Sequence, residues 1–163
     1  MTRPSTLVVP PTGGTTTQPA RRHVVALPAG LDLLNANQRQ HHQAKARLVK
    51  EIRTAAWAAA RSARLPRLER AHILYVVHPN SVSRRRDPGN WAPSAKAAVD
   101  GLVDAGVLDD DNSTRLLGPD PRLGSPVKGY QLVLVVTDLT AVPDSHLALL
   151  DPTHQLTPVE GRT

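Results

Sequence analysis

The chain has 163 residues, with 20 Lys and Arg against 14 Asp and Glu, a net charge of +6, and no cysteine. That length suits one domain with its own core, and the absence of thiols excludes disulfides, thiolate zinc sites and cysteine nucleophiles. No apolar run nears the roughly 20 residues that span a bilayer, and prolines interrupt the opening residues MTRPSTLVVPPTGGTTTQPARR where a signal peptide needs an unbroken apolar stretch. The expectation is a soluble cytoplasmic protein with no membrane partner.

Residues 1–21, rich in Thr, Pro and Gly, read as a flexible tail, and residues 141–163 read as a second one around the short apolar LALL. The folded domain is expected over 22–140. HVVALPAG, from His23, reads as a short strand ended by Pro28 and Gly30. Asn35 or Asn37 then caps a long helix in which Ala44, Leu48, Ile52, Ala55, Ala56, Ala59 and Ala63 form an apolar stripe, with Trp57 expected in the core. Arg39, Lys45, Arg47, Lys50, Arg53, Arg61 and Arg64 lie on its other faces. Pro66 closes the helix, and AHILYVVHP is a strand whose nearly continuous apolar character predicts burial on both faces.

A shorter helix is expected from about Pro93 to Ala105. Ala95, Ala98, Val99, Leu102 and Val103 recur at three and four residues, and Lys96, Asp100 and Asp104 repeat every four on another face. Pro93 suits the first turn and Gly106 the C-terminal cap. LDDDNS follows, then STRLL as a short strand, the loop GPDPRLGSPVKG and a last strand, YQLVLVVTDL. This order of β, long α, β, short α, β, β gives an α+β domain, a small mixed β-sheet with one long and one short helix packed on it.

Charge is divided between the halves. Residues 1–86 carry 15 Lys and Arg against 3 acids, a balance of +12, whereas residues 87–163 carry 5 against 11, a balance of −6. The basic half suits a polyanion such as nucleic acid. With Phe absent and only Trp57, Trp91, Tyr75 and Tyr130 aromatic, stacking of bases on an aromatic platform is not the main mode of binding.

Asp87 stands just after a strand, Lys96 on the helix that follows, and Asp109, Asp110 and Asp111 just beyond that helix. Carboxylates brought together repel unless a cation lies between them, and Mg²⁺ or Mn²⁺ prefers oxygen donors. Such a cation activates water and offsets charge on a phosphodiester, and a nearby lysine offsets the same charge. A helix of about a dozen residues is close to 20 Å long, so Asp87 meets the acidic triplet only if the chain folds back or a second subunit completes the site. The plain alternative for the triplet is a polar loop with capping duties, and for Lys96 with Asp100 a surface pair. A separate possibility is a metal site built from His41, His42 or His78, which the angle between adjacent helical residues disfavours.

The combined pattern RRRDPGNW followed by AKAAVDGLVDAGVLDDDNS resembles the RusA family of Holliday junction resolvases. On that resemblance Asp87 matches the first Asp of the family motif, Asn90 its Asn, Lys96 the lysine opening a helix, Asp100 the Asp one turn on, Gly106 the glycine near the helix end, and Asp110 with Asp111 the closing pair. The resemblance spans roughly residues 22 to 140 and is specific between Arg84 and Asn112. It implies a RusA-like fold, a symmetric homodimer, and a Mg²⁺- or Mn²⁺-dependent endonuclease that binds four-way junction DNA and cuts paired strands symmetrically in recombination and repair. It implies Asp87 and Asp111 as metal ligands, Asp110 or Asp109 as a further ligand, and Lys96 for electrostatic stabilisation. Arg84, Arg85, Arg86, Asn90, Arg39, Lys45 and Lys50 are expected at the DNA. Two departures stand out: Gly89 occupies the position of the family's second motif Asp, and the interval from Asn to Lys is longer, through WAPSA. The alternative they leave open is a junction-binding protein with weak catalysis or none.

Overall fold

A computed structural model of the chain describes residues 20–39, 41–81 and 86–143. The first strand, β1 (Arg22–Ala26), follows a period of two, with Val25 buried and Val24 61% exposed. After it the Asn35 carboxamide oxygen accepts a hydrogen bond from the Asn37 backbone N–H at 2.9 Å, closing a local turn. An Asn side chain that satisfies nearby backbone in this way competes with helix formation. Helix α1 (His42–Ser62) therefore begins at His42 rather than beside Asn35 or Asn37.

The buried stripe of α1 is Leu48, Ile52, Ala56 and Ala60, a strict spacing of four. Ala44 and Ala63, expected on it, are exposed. Trp57, expected in the core, is 43% exposed. The reason lies in the neighbouring helix α2 (Ala92–Asp104), which crosses α1 at Gly101. A Cβ on Gly101 would stand 2.3 Å from the Arg53 carbonyl oxygen and 2.9 Å from the Ala56 methyl, so the crossing admits only small residues. An indole does not fit a crossing that tight and lies beside it.

The other strands are β2 (Ala71–His78), β3 (Leu116–Leu123) and β4 (Gln131–Asp138). They form one mixed sheet in the order β1-β4-β2-β3, with β4 antiparallel to both β1 and β2, and β3 parallel to β2. Parallel neighbours need a crossover connection, and α2 supplies it. Strand β3 runs through the prolines of LLGPDPRL, where a loop was expected from Gly118 onward. An edge strand has one side without a partner, which is where proline's missing donor is tolerated.

Ala71, Ile73, Tyr75 and Val77 of β2 and Leu132, Leu134 and Val136 of β4 face Leu48, Ile52, Ala95, Ala98, Val99 and Leu102 of the helices in one aliphatic core. Full burial of an Ile or Leu contributes about 1.5–3 kcal/mol, so this layer holds the helices on the sheet. The alternate residues of β2, His72, Leu74, Val76 and His78, are only partly buried, contrary to the expectation of cover on both faces. Both helices contribute to the core on the same side, and no described helix lies on the other. Of the two assigned tails, residues 1–19 and 144–163 lie outside the described residues.

Candidate metal and DNA site

Asp87 caps a 3-10 turn, Pro88–Trp91, that leads into α2. Its Oδ1 accepts from the Gly89 N–H at 2.9 Å, and its carbonyl oxygen accepts from the Asn90 N–H at 3.1 Å. The Tyr75 hydroxyl, at the end of a buried ring on β2, donates to the Pro88 carbonyl at 3.0 Å. Burial, and then the neighbouring Asp87 carboxylate, push the Tyr75 phenol above its ordinary pKa, so it remains a neutral donor at neutral pH. Trp91, the last residue of the turn, is buried, and its ring lies 6.0 Å from that of Tyr130.

Ser94, fully buried on α2, holds the loop after β1. Its Oγ accepts from the Leu34 N–H at 2.7 Å and donates to the Leu34 carbonyl at 2.9 Å. The Asn90 carbonyl accepts from the Ala36 N–H at 2.7 Å. Residues 34–36 are thereby stitched to the segment that carries Asp87.

The return at the other end of α2 is built differently. Gly106 adopts φ +77°, a left-handed conformation that suits glycine, and its N–H donates to the Val103 carbonyl at 2.9 Å. Val107 and Leu108, both buried, then draw the chain back onto the core. Lys96 and Asp111, 15 residues apart, meet as a result: the Lys96 Nζ lies 2.5 Å from Asp111 Oδ2 and 2.5 Å from Asp100 Oδ1. Hydrogen bonds to Asp100 and then Asp111 raise the Lys96 pKa, and the same lysine holds the Asp111 carboxyl below the usual carboxylate range.

The acidic triplet splits. Asp110 accepts from the Asp111 N–H at 2.8 Å and from the Asn112 side-chain amide at 2.8 Å, staying beside Asp111. Asp109 points to Arg67, 2.8 Å away, whose guanidinium lowers its pKa. That ion pair has to open before Asp109 can ligate anything else. Asp87 belongs to the turn before α2, nine residues ahead of Lys96. Among the described residues no group of three His, Asp or Glu side chains is close enough to hold a metal ion. The site offers instead the adjacent carboxylates Asp110 and Asp111 and the separate exposed Asp87. Of these carboxylates only Asp110 and Asp111 adjoin each other, and Mg²⁺, which keeps several waters, takes one or two carboxylates from a protein.

Arg39, Lys45 and Lys50 are exposed at and along α1, available to a polyanion. Arg84 and Arg85 lie outside the described residues. Arg86 turns inward. Its guanidinium donates to the Tyr130 hydroxyl and, at 3.2 Å, to Ser81 Oγ, and sits 5.5 Å from the centre of the Tyr130 ring. His41 caps α1, His42 opens it, and the His78 ring is bonded to the Ser125 carbonyl at 2.8 Å.

Sequence reasoning missed Tyr75, Ser94 and Tyr130, which position the turn. Tyr75 alone left a signal, a polar tip within the apolar run Ile73–Val77 that has to find a partner when buried.

No family model and no curated protein matches the chain. Among solved structures it is loosely similar to the periplasmic domain of Helicobacter pylori MotB (residues 90–256), at 18% identity over 83% of this chain and 84% of that one, with a TM-score of 0.38. A second structure of that domain (residues 97–256) gives 18% identity over 79% and 90%, with a TM-score of 0.34. Likeness at that level carries no argument about fold or function.

Proposed function

We propose that the chain is a metal-dependent endodeoxyribonuclease that resolves four-way DNA junctions, as its resemblance to the RusA family implies. The observation that carries this reading is the chain reversal after Gly106. It returns Asp111 to Lys96, bringing two of the motif's residues together, while Asp87 stays at the turn before α2. On the resemblance, Asp111 with Asp110, and Asp87 once drawn to them or supplied by a second subunit, would hold Mg²⁺ or Mn²⁺, which when bound activates water and offsets charge on the phosphodiester. Lys96 is held cationic by two carboxylates, and its side chain is 61% exposed. Its role is therefore electrostatic stabilisation of the attacked phosphate rather than proton abstraction.

Arg39, Lys45 and Lys50, with Arg84 and Arg85, supply phosphate contacts, which position DNA without reading sequence. Arg86 anchors the turn against Tyr130, and Asn90 ties it to the loop after β1. A two-fold symmetric substrate suits a homodimer, acting on DNA in the cytoplasm.

Gly89 favours a second reading, a junction-binding protein with weak catalysis or none. A Cβ at position 89 would lie 3.1 Å from Asp87 Oδ1, so a side chain here stands against that carboxylate. With glycine, Asp87 lacks the companion that the family pattern places there. The deciding experiment is cleavage of a synthetic four-way junction with Mg²⁺ or Mn²⁺. We expect metal-dependent cutting that falls about 100-fold or more in Asp87→Asn and Asp111→Asn, on the scale of losing a group that stabilises the transition state. Tight junction binding with no metal-dependent cutting selects the second reading, and Gly89→Asp then tests whether the missing carboxylate is the cause.

A further inference from the structure

Where β2 and β3 begin and β4 ends, a cleft of about 510 Å³ opens beside the sheet. Arg70 and Arg115, the residues just ahead of those two beginnings, line it together with Thr140 from the turn after β4. Hydrogen bonds fix all three. The Ala71 N–H donates to the Arg115 carbonyl and the Leu139 N–H to the Arg70 carbonyl, each at 2.9 Å, and the Thr140 N–H donates to Asp138 Oδ1 at 2.8 Å. Arg115 Nη1 donates to the Glu69 carbonyl at 3.2 Å, which orients the guanidinium and leaves its remaining donors to a ligand. Thr140 Oγ1 accepts from the Glu69 N–H at 3.3 Å, so its own proton is left to donate. Arg70 already interacts within the chain and shares its donors rather than offering all of them. Glu69 borders the cleft too, but it is exposed and its charge bears on Arg67, outside the lining. The wall formed by Ala141, Val142 and Pro143 is apolar.

We propose that this cleft binds a phosphate monoester, either the phosphorylated end of a nucleic-acid strand or a free nucleotide. Two guanidiniums match the double charge of a monoester, and their planar forks pair with its terminal oxygens. A diester inside a duplex carries a single charge and lies on a convex backbone, where a recessed site does not reach it. The volume falls within the range of about 300–1,000 Å³ usual for small-ligand sites, so a nucleoside fits beside its phosphate, against the apolar wall. Thr114, also in the lining, ties the cleft to the acidic return. Its hydroxyl donates to Asn112 Oδ1 at 2.6 Å, and the Asn112 amide donates to Asp110 Oδ2 at 2.8 Å. The wall of the cleft and the Asp110 carboxylate are thereby parts of one hydrogen-bonded loop. The inference does not rest on the proposed cleavage, and its test reads binding without metal, so either can fail alone.

The probes are deoxyadenosine 5′-monophosphate, deoxyadenosine, and a short single strand with and without a 5′-phosphate, each titrated calorimetrically into the full chain in EDTA at up to about 1 mM. Binding is expected for a phosphorylated probe and not for deoxyadenosine. Arg115→Ala is expected to weaken it about 10-fold or more, the scale of a charge-assisted hydrogen bond. Arg47→Ala, the same change of charge on an exposed face of α1, is expected to leave it within about twofold. Should Arg115→Ala fail to fold, Thr140→Val decides: it deletes a donor at an exposed position and is expected to weaken binding about threefold or more. A preference for the 5′-phosphorylated strand that Arg115→Ala abolishes identifies a strand end, and a response to the mononucleotide alone identifies a free nucleotide. The inference is overturned if neither the mononucleotide nor the strand's 5′-phosphate adds binding, or if Arg47→Ala costs as much as Arg115→Ala.

Discussion

Helix α2 is entered through a turn whose contacts are buried and mostly uncharged, and left through an acidic return whose side-chain contacts are exposed and ionic. On the entry side, Tyr75 bonds Pro88, Ser94 bonds Leu34, and Trp91 packs near Tyr130. On the exit side, Lys96 meets Asp100 and Asp111, and Arg67 meets Asp109. Buried hydrogen bonds hold their geometry because a lost partner leaves a desolvated group behind, whereas exposed ion pairs contribute little and are screened by salt. Asp87 is thus fixed by the fold, while the acidic side chains beyond α2 are free to rearrange around an arriving cation. The backbone of the return belongs to the rigid part, since Val107 and Leu108 are buried.

The largest effect expected from breaking this contrast is at Ser94. Ser94→Ala removes both the donor and the acceptor that serve the buried Leu34 backbone. Leaving such groups unsatisfied costs about 1–3 kcal/mol, measurable as a lower denaturation midpoint in urea and independent of added salt. A loss that grew with salt would mean that the entry side is not the uncharged anchor described.

Tyr75→Phe comes next. It deletes one hydrogen bond to Pro88, worth about 1 kcal/mol, and keeps the ring in the core. If Tyr75 sets the position of Asp87, junction cleavage falls mainly in kcat while junction affinity is retained. Unchanged cleavage in a folded Tyr75→Phe protein would restrict Tyr75 to packing.

The same contrast explains what could be read from sequence. Strand β4 and helix α2 were legible because apolar periodicity and the Pro and Gly at their ends agree with their environment, and β2 was legible as a strand from its apolar run, although only one of its faces is fully buried. Strand β3 was not, because Gly118, Pro119 and Pro121 carry the chemistry of a loop and only its place at the sheet edge makes it a strand. The start of α1 was misplaced because Asn35 closes a turn of its own, and Trp57 because the closeness of the Gly101 crossing depends on a helix 44 residues away. At the candidate site, the residues came from the motif and their meeting came from the fold. Lys96 and Asp111 were marked by spacing, and the Gly-Val-Leu run at Gly106–Leu108 carried the signal for the reversal. The partner of Ser94 lies 60 residues away, beyond any local pattern.

The smallest effect is expected where the charges are most exposed. Asp109→Asn should leave stability at neutral pH unchanged within error, because its pair with Arg67 lies in solvent. The variant should differ in acid. Arg67 holds the Asp109 carboxyl below its ordinary pKa, so whatever the pair contributes is complete above the usual Asp range and is lost as pH falls through the lowered value. Asp111 behaves in the same sense through Lys96. Lys96 has the opposite sign: its pKa is raised, so its contribution is complete below the usual Lys range and is lost as pH rises through the raised value. Between those limits the cluster is fully charged, and its members give neither stability nor cleavage a slope between about pH 6 and 8. Asp109→Asn should therefore flatten only the acid limb of a stability profile. A slope near neutrality that vanished in this variant would show that Asp109 has left Arg67 for a site where its proton matters.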